Sequence, residues 1–160
     1  MVRMNTKTMV LGLGNPIFGD DGVGLRVIEE LQKQIHDEDI TIEGAELAGL
    51  DMLETLSGYD RVIIIDAIQT GGRVGDIYQL TPDDLKSTIH TGTPHDVNFS
   101  TALEFGERIG VKLPSKIDIV AVEIASNVAF SEELTPEIDA VIPIVVERVI
   151  KMVKDTGNQS

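Results

Sequence analysis

The run Val62-Ile63-Ile64-Ile65, entered from Arg61 and left through Asp66-Ala67, constrains the fold most tightly. In an extended chain successive side chains point to opposite faces, so four apolar β-branched residues in a row leave neither face for water. Such a strand needs cover on both sides, the condition met at the centre of a parallel sheet. The segments around it supply the cover. Thr8 to Leu13 is a short apolar run ending at glycine-rich sequence, and Val23, Val27, Ile28, Leu31 and Ile35 recur behind it at helical spacing. Ile40-Thr41-Ile42, within Asp39 to Gly44, predicts a second strand, followed by a helix over Leu50, Met52, Leu53 and Leu56 that stops near Ser57-Gly58.

Beyond the central run, Gly71-Gly72 and Gly75 bracket a turn before Asp76 to Leu80, a short strand suited to antiparallel pairing at an edge. Thr81 to Val97 is polar and reads as loop. Phe99, Leu103, Phe105 and Ile109 predict a helix, Lys116 to Ile124 a strand, and Ile138 to Val153 a last helix capped by Thr135 with Pro136 in its first position. Pro143 kinks or restarts that helix. Strands alternating with helices define an α/β fold: a three-layer sandwich with a mostly parallel, twisted sheet of about five strands and helices on both faces. With 160 residues, no repeat and no linker, residues 1–160 are expected to form one domain.

The chain has no cysteine, which excludes disulfides, thiolate zinc sites and a cysteine nucleophile. A net charge of −14 opposes phosphate backbones, so nucleic acid is not an expected partner. Met1 to Lys7 leads directly into a strand, without a signal-like or membrane-spanning stretch. A soluble, cytoplasmic protein with no membrane partner is the expectation.

Ligands of open α/β sheets bind beyond the carboxyl ends of the strands, where strand order reverses. By chain direction Asp21 and Asp66 fall on that side, and each is expected where a strand runs out into a loop. His95, in Thr93-Pro94-His95-Asp96, supplies an imidazole from what reads as another loop. Of Asp20 and Asp21, which precede a helix, one is expected to cap it while the other faces the cleft. Glu46 and Glu123 lie near strand ends and can join the cleft or form ordinary ion pairs. His36 and His90 sit in polar surroundings. Two carboxylates and an imidazole suit a borderline divalent metal better than calcium, and paired carboxylates can alternatively share a proton and activate water.

Gly12-Leu13-Gly14 after a strand has the wrong spacing for dinucleotide binding, because the next glycine is Gly19. Gly12 to Pro16 also matches the opening of peptidyl-tRNA hydrolases, but the match ends at Ile17 and that family's catalytic stretch and basic face are missing. Taken together, Gly12-Leu13-Gly14-Asn15 with Asp20-Asp21-Gly22-Val23-Gly24, then Ala48-Gly49-Leu50-Asp51, Ile65-Asp66-Ala67 and Thr93-Pro94-His95 resemble the hydrogenase maturation proteases. The motifs occur in order at compatible spacings over most of the chain. The resemblance implies an α/β endopeptidase that removes the C-terminal extension of a nickel-iron hydrogenase large-subunit precursor once nickel is inserted. It places the nickel-contacting and catalytic positions on Asp21, Asp66 and His95. It further implies that the nickel arrives with the substrate and is not permanently held. A noncatalytic nickel-delivery or hydrogenase assembly factor using the same donors is the alternative. The chain departs from the commoner family pattern at Gly44-Ala45-Glu46-Leu47 and Ala121-Val122-Glu123-Ile124.

Overall fold

A computed structural model describes residues 6–46, 51–87, 94–126 and 129–155; the side chains of residues 51 and 85–101 lie outside that description. The strands are β1 (Thr8–Leu13), β2 (Ile40–Ala45), β3 (Arg61–Ile68), β4 (Ile77–Leu80) and β5 (Lys116–Glu123). The helices are α1 (Val23–Gln34), α2 (Asp51–Leu56), α3 (Pro82–Ser87), α4 (Pro94–Ile109), α5 (Pro136–Asp139) and α6 (Ile142–Asp155). One sheet in the order β2-β1-β3-β5-β4 collects them. Its pairs are parallel except β4 with β5, so β4 is the antiparallel edge strand expected from Asp76 to Leu80.

β3 is the middle strand and is buried from end to end. Its alternation divides the core in two. Ile63, Ile65 and Ala67 pack with Val10 of β1, Val27 and Leu31 of α1, and Val145 and Val149 of α6. Val62, Ile64 and Ile68 pack on the other face with Leu11 and Leu13 of β1, Met52 and Leu56 of α2, and Leu103 of α4. This is the three-layer arrangement anticipated from the isoleucine run. Removing each such side chain from water contributes about 1.5–3 kcal/mol, an upper estimate because unfolded chains are already partly collapsed.

The segment from Thr81 to Val97 corrects the sequence reading, since it contains α3 and the start of α4 where a loop was expected. Thr81 and Asp84 form a reciprocal cap: the Asp84 carboxylate accepts from the Thr81 N–H at 2.8 Å, and Thr81 Oγ1 accepts from the Asp84 N–H at 3.4 Å. Pro143 restarts the chain as α6 after the single turn of α5. At the amino edge of the sheet, buried Arg61 donates to the Met152 carbonyl at 2.7 Å and to Asp118 Oδ2 at 3.3 Å, tying β3, β5 and α6 together. Among the described residues, no helix is long and apolar enough to cross a membrane.

Candidate functional site

The first crossover leaves β1 on one side, toward β2, and the sheet then continues on the other side through β3. The strand order therefore reverses at β1, and the crevice it opens lies at the carboxyl ends of β1 and β3. Register shows where it begins. β1 pairs with β3 up to Gly12 opposite Ile65, whereas β3 pairs with β5 through Ile68 opposite Glu123. Asp66 is the first residue of β3 beyond the pairing with β1. It lies near the carboxyl end of the strand, as expected, although the strand runs on for two more residues. It is buried, and its Oδ1 accepts from the Ala67 N–H at 2.8 Å. By alternation it shares a face with Val62, Ile64 and Ile68, the face covered by α2 and α4.

Glycine positions bring the loop that carries Asp21 down onto the same two strands. A methyl group on Gly24 would stand 2.5 Å from the carbonyl oxygens of both Ile65 and Leu13, so the first turn of α1 rests directly on the ends of β3 and β1. Gly12 faces the backbone of Gly24 with no room for a side chain, and Gly14 likewise faces the Asp21 carbonyl. The loop between β1 and α1 is thereby folded down onto the sheet. It closes with a 3-10 turn, Gly19–Gly22, that packs against β3. Asp21 in that turn is buried, and its Oδ2 accepts from the Asn15 N–H at 3.0 Å.

Neither adjacent acid caps α1, contrary to the sequence expectation: Gly22 occupies the cap position and makes no side-chain bond. Asp20 instead reaches across the fold. Its carboxylate accepts from the Thr135 N–H at 2.7 Å and from the Thr135 hydroxyl at 2.8 Å. That bond also corrects the reading of Thr135, whose hydroxyl serves Asp20 and not the start of α5. Beside it, the Gly19 N–H donates to the Ser131 carbonyl at 2.7 Å and the Ser131 N–H to the Ile17 carbonyl at 2.9 Å.

Glu123 is fully buried and accepts from the Thr70 N–H at 2.8 Å, from the Thr70 hydroxyl and from the Tyr78 hydroxyl at 3.0 Å. These bonds fasten the turn between β3 and β4, which gives Glu123 a structural task. Partial burial pushes the Tyr78 phenol above its ordinary range. Its bond with Thr70 works the other way, while the Glu123 bond and the charges of Glu123 and Asp76 raise it further. Glu46 is exposed just past the end of β2.

His95 falls in the first turn of α4, not in a loop after a strand, and its side chain is outside the described residues. α4 ends at the amino edge, where the Ser115 N–H and the Lys116 N–H bond to the Asp60 carbonyl immediately before β3. A helix of 16 residues is about 24 Å long, so the turn holding His95 is its far end from that edge. Thr93-Pro94, a proline in the first helical position, is the signal that marks this helix start. His36 is exposed at the end of α1 with Nε2 3.1 Å from the Lys33 carbonyl, and His90 is outside the described residues. Among the described residues, no three His, Asp or Glu side chains form a group able to hold a metal.

Fold and crevice define a small doubly wound α/β protein with buried acids, and no nucleotide-binding glycine pattern, at its switch point. Residues 25–152 match the profile of the family described as HycI, hydrogenase maturation protease. The chain belongs to the hydrogenase maturation proteases and is a protease. It is 27% identical over 154 residues to the Hydrogenase 2 maturation protease of Escherichia coli (strain K12), a match covering 94% of this chain and 93% of that protein. Hydrogenase expression/formation protein HupD of Rhizobium leguminosarum bv. viciae is 24% identical over 156 residues, covering 94% of this chain and 76% of HupD. The solved structure of the hydrogenase maturating endopeptidase HybD from E. coli superposes with a TM-score of 0.83 at 26% identity, covering 95% of this chain and 94% of that one. The [NiFe] hydrogenase maturation protease HycI from Thermococcus kodakarensis KOD1, at 22% identity and a TM-score of 0.71 over 93% of each chain, shares the fold.

Proposed function

We propose that this protease acts in the cytoplasm on the large-subunit precursor of a nickel-iron hydrogenase, removing its C-terminal extension after nickel insertion. Asp21, Asp66 and His95 meet the nickel carried by the precursor, and the protein is an aspartyl-type endopeptidase in that its carboxylates serve the hydrolysis. The observation that supports this reading is that the turn holding Asp21 packs against β3, the strand that holds Asp66. Both acids, distant in sequence, are buried. Carboxylate and imidazole donors suit a borderline divalent ion such as nickel. Completing the coordination of substrate-bound nickel fixes the neighbouring peptide bond in place. A water activated by a carboxylate, or polarised by that nickel, then attacks the peptide carbonyl.

The test compares nickel-loaded and nickel-free precursor by mass spectrometry after incubation with the protein. The loaded form should lose its extension and the nickel-free form should stay whole. Asp21→Asn, Asp66→Asn and His95→Ala should each abolish cutting while leaving the urea midpoint near that of the wild type. Equal trimming of both precursors, or normal cutting by all three variants, defeats the reading.

A further inference from the structure

Phe130 is 78% exposed and Ile17 is 46% exposed, while the Phe130 ring packs 4.8 Å from that of Phe18 at a tilt of 34°. The chain holds these side chains out of the core deliberately: a parallel bridge joins Phe18 to Ser131, and Ser131 exchanges two backbone hydrogen bonds with Ile17 and Gly19. Ile17 and Phe18 lie four and three residues before Asp21 on the same loop, and the bridge to Ser131 brings Phe130 beside them. An exposed aromatic contributes little to folding, and exposed apolar groups grouped in this way mark a surface that becomes covered on binding. Its stacking on Phe18 fixes the ring beforehand, which lowers the entropy cost of that binding.

Charge selects the occupant. Glu132, Glu133 and Glu137 are exposed just beyond Phe130, and the whole chain carries −14. A second copy of the chain would bring like charge against like charge, whereas an apolar residue flanked by lysine or arginine would be attracted. We infer that the Ile17–Phe130 lip docks the precursor polypeptide next to the cleavage site, through an apolar side chain with basic neighbours. This inference rests on the precursor being the substrate, as proposed above.

The test measures the affinity of purified nickel-loaded precursor for the wild type, Phe130→Ser and Glu132→Lys/Glu133→Lys, together with cleavage kinetics. Phe130→Ser should weaken binding about tenfold, the scale of an interface anchor, and raise KM while leaving kcat and the thermal midpoint unchanged. The charge-reversed variant should associate more slowly and lose salt dependence. Phe130-dependent binding without any cleavage by the wild type upholds the docking surface and defeats the endopeptidase reading. Affinity and KM within about twofold of wild type for Phe130→Ser overturn the docking surface. So does a wild-type dimer that Phe130→Ser dissociates with precursor affinity unchanged.

Discussion

Replacing Gly24 with alanine tests whether backbone contact between α1 and the sheet builds the crevice. On an exposed helix the change would stabilise by about 0.8–1 kcal/mol, because alanine is the better helix former. Here the added methyl would lie 2.5 Å from the Ile65 and Leu13 carbonyl oxygens and 3.0 Å from the Leu13 nitrogen. None of these atoms can rotate away. Restoring ordinary contact at 3.4 Å lifts the first turn of α1 by nearly 1 Å, and Asp21 lies three residues upstream on the same turn of chain. Overpacking of this kind costs about 1–3 kcal/mol, so Gly24→Ala should be less stable by about that amount despite its better helix propensity. For a chain of this size the thermal midpoint falls by about 2–4 °C per kcal/mol. With Asp21 in the role proposed above, a displacement of about 1 Å should cost about 100-fold in rate. Urea denaturation followed by circular dichroism, alongside precursor processing followed by mass spectrometry, reads both effects. A variant as stable and as active as the wild type would refute the claim that glycine is required there.

Asp118→Ala should strip the buried Arg61 guanidinium of its carboxylate and destabilise by about 3–5 kcal/mol in urea unfolding, since an unpaired buried charge is left behind. Asp20→Ala should cost about 1.5–3 kcal/mol in the same assay through loss of its charged bonds to Thr135, with Thr135→Val costing less because the backbone bond survives. The Tyr78 phenol is held above its unfolded value of 10.0, so the folded state keeps that proton longer than the unfolded state. Its contribution to stability is complete below pH 10.0 and is lost as pH rises beyond it. Tyr78→Phe should therefore show a shallower alkaline decline in the thermal midpoint than the wild type, and an equal decline in both would contradict the assignment.

The sheet was legible in the sequence because its signals are local. Four unbroken β-branched residues demand cover on both faces, and Gly71, Gly72 and Gly75 announce the turn into the antiparallel edge. Asp66 was legible for the same reason, although the strand runs on past it because Ala67 and Ile68 still pair with β5. The Thr81 to Val97 segment was missed because its polar composition hid two helix starts. Thr81-Pro82-Asp83-Asp84 carries a capping box with aspartate in the glutamate position, and Thr93-Pro94 sets proline at a first helical residue. The duties of Asp20, Thr135 and Glu123 were not legible, because each is defined by partners 45 or more residues away. A carboxylate before a helix looks like a cap until a distant hydroxyl claims it.

The bonds from Asp20 to Thr135, 115 positions later, impose an order on biosynthesis. A nascent chain that has emerged only as far as β5 already contains both acids of the crevice, yet lacks the strap that pins the Asp21 turn from outside. The turn that carries Asp21 is therefore fastened only after residues 129–155 have been made, the same stretch whose α6 side chains complete the core beneath α1.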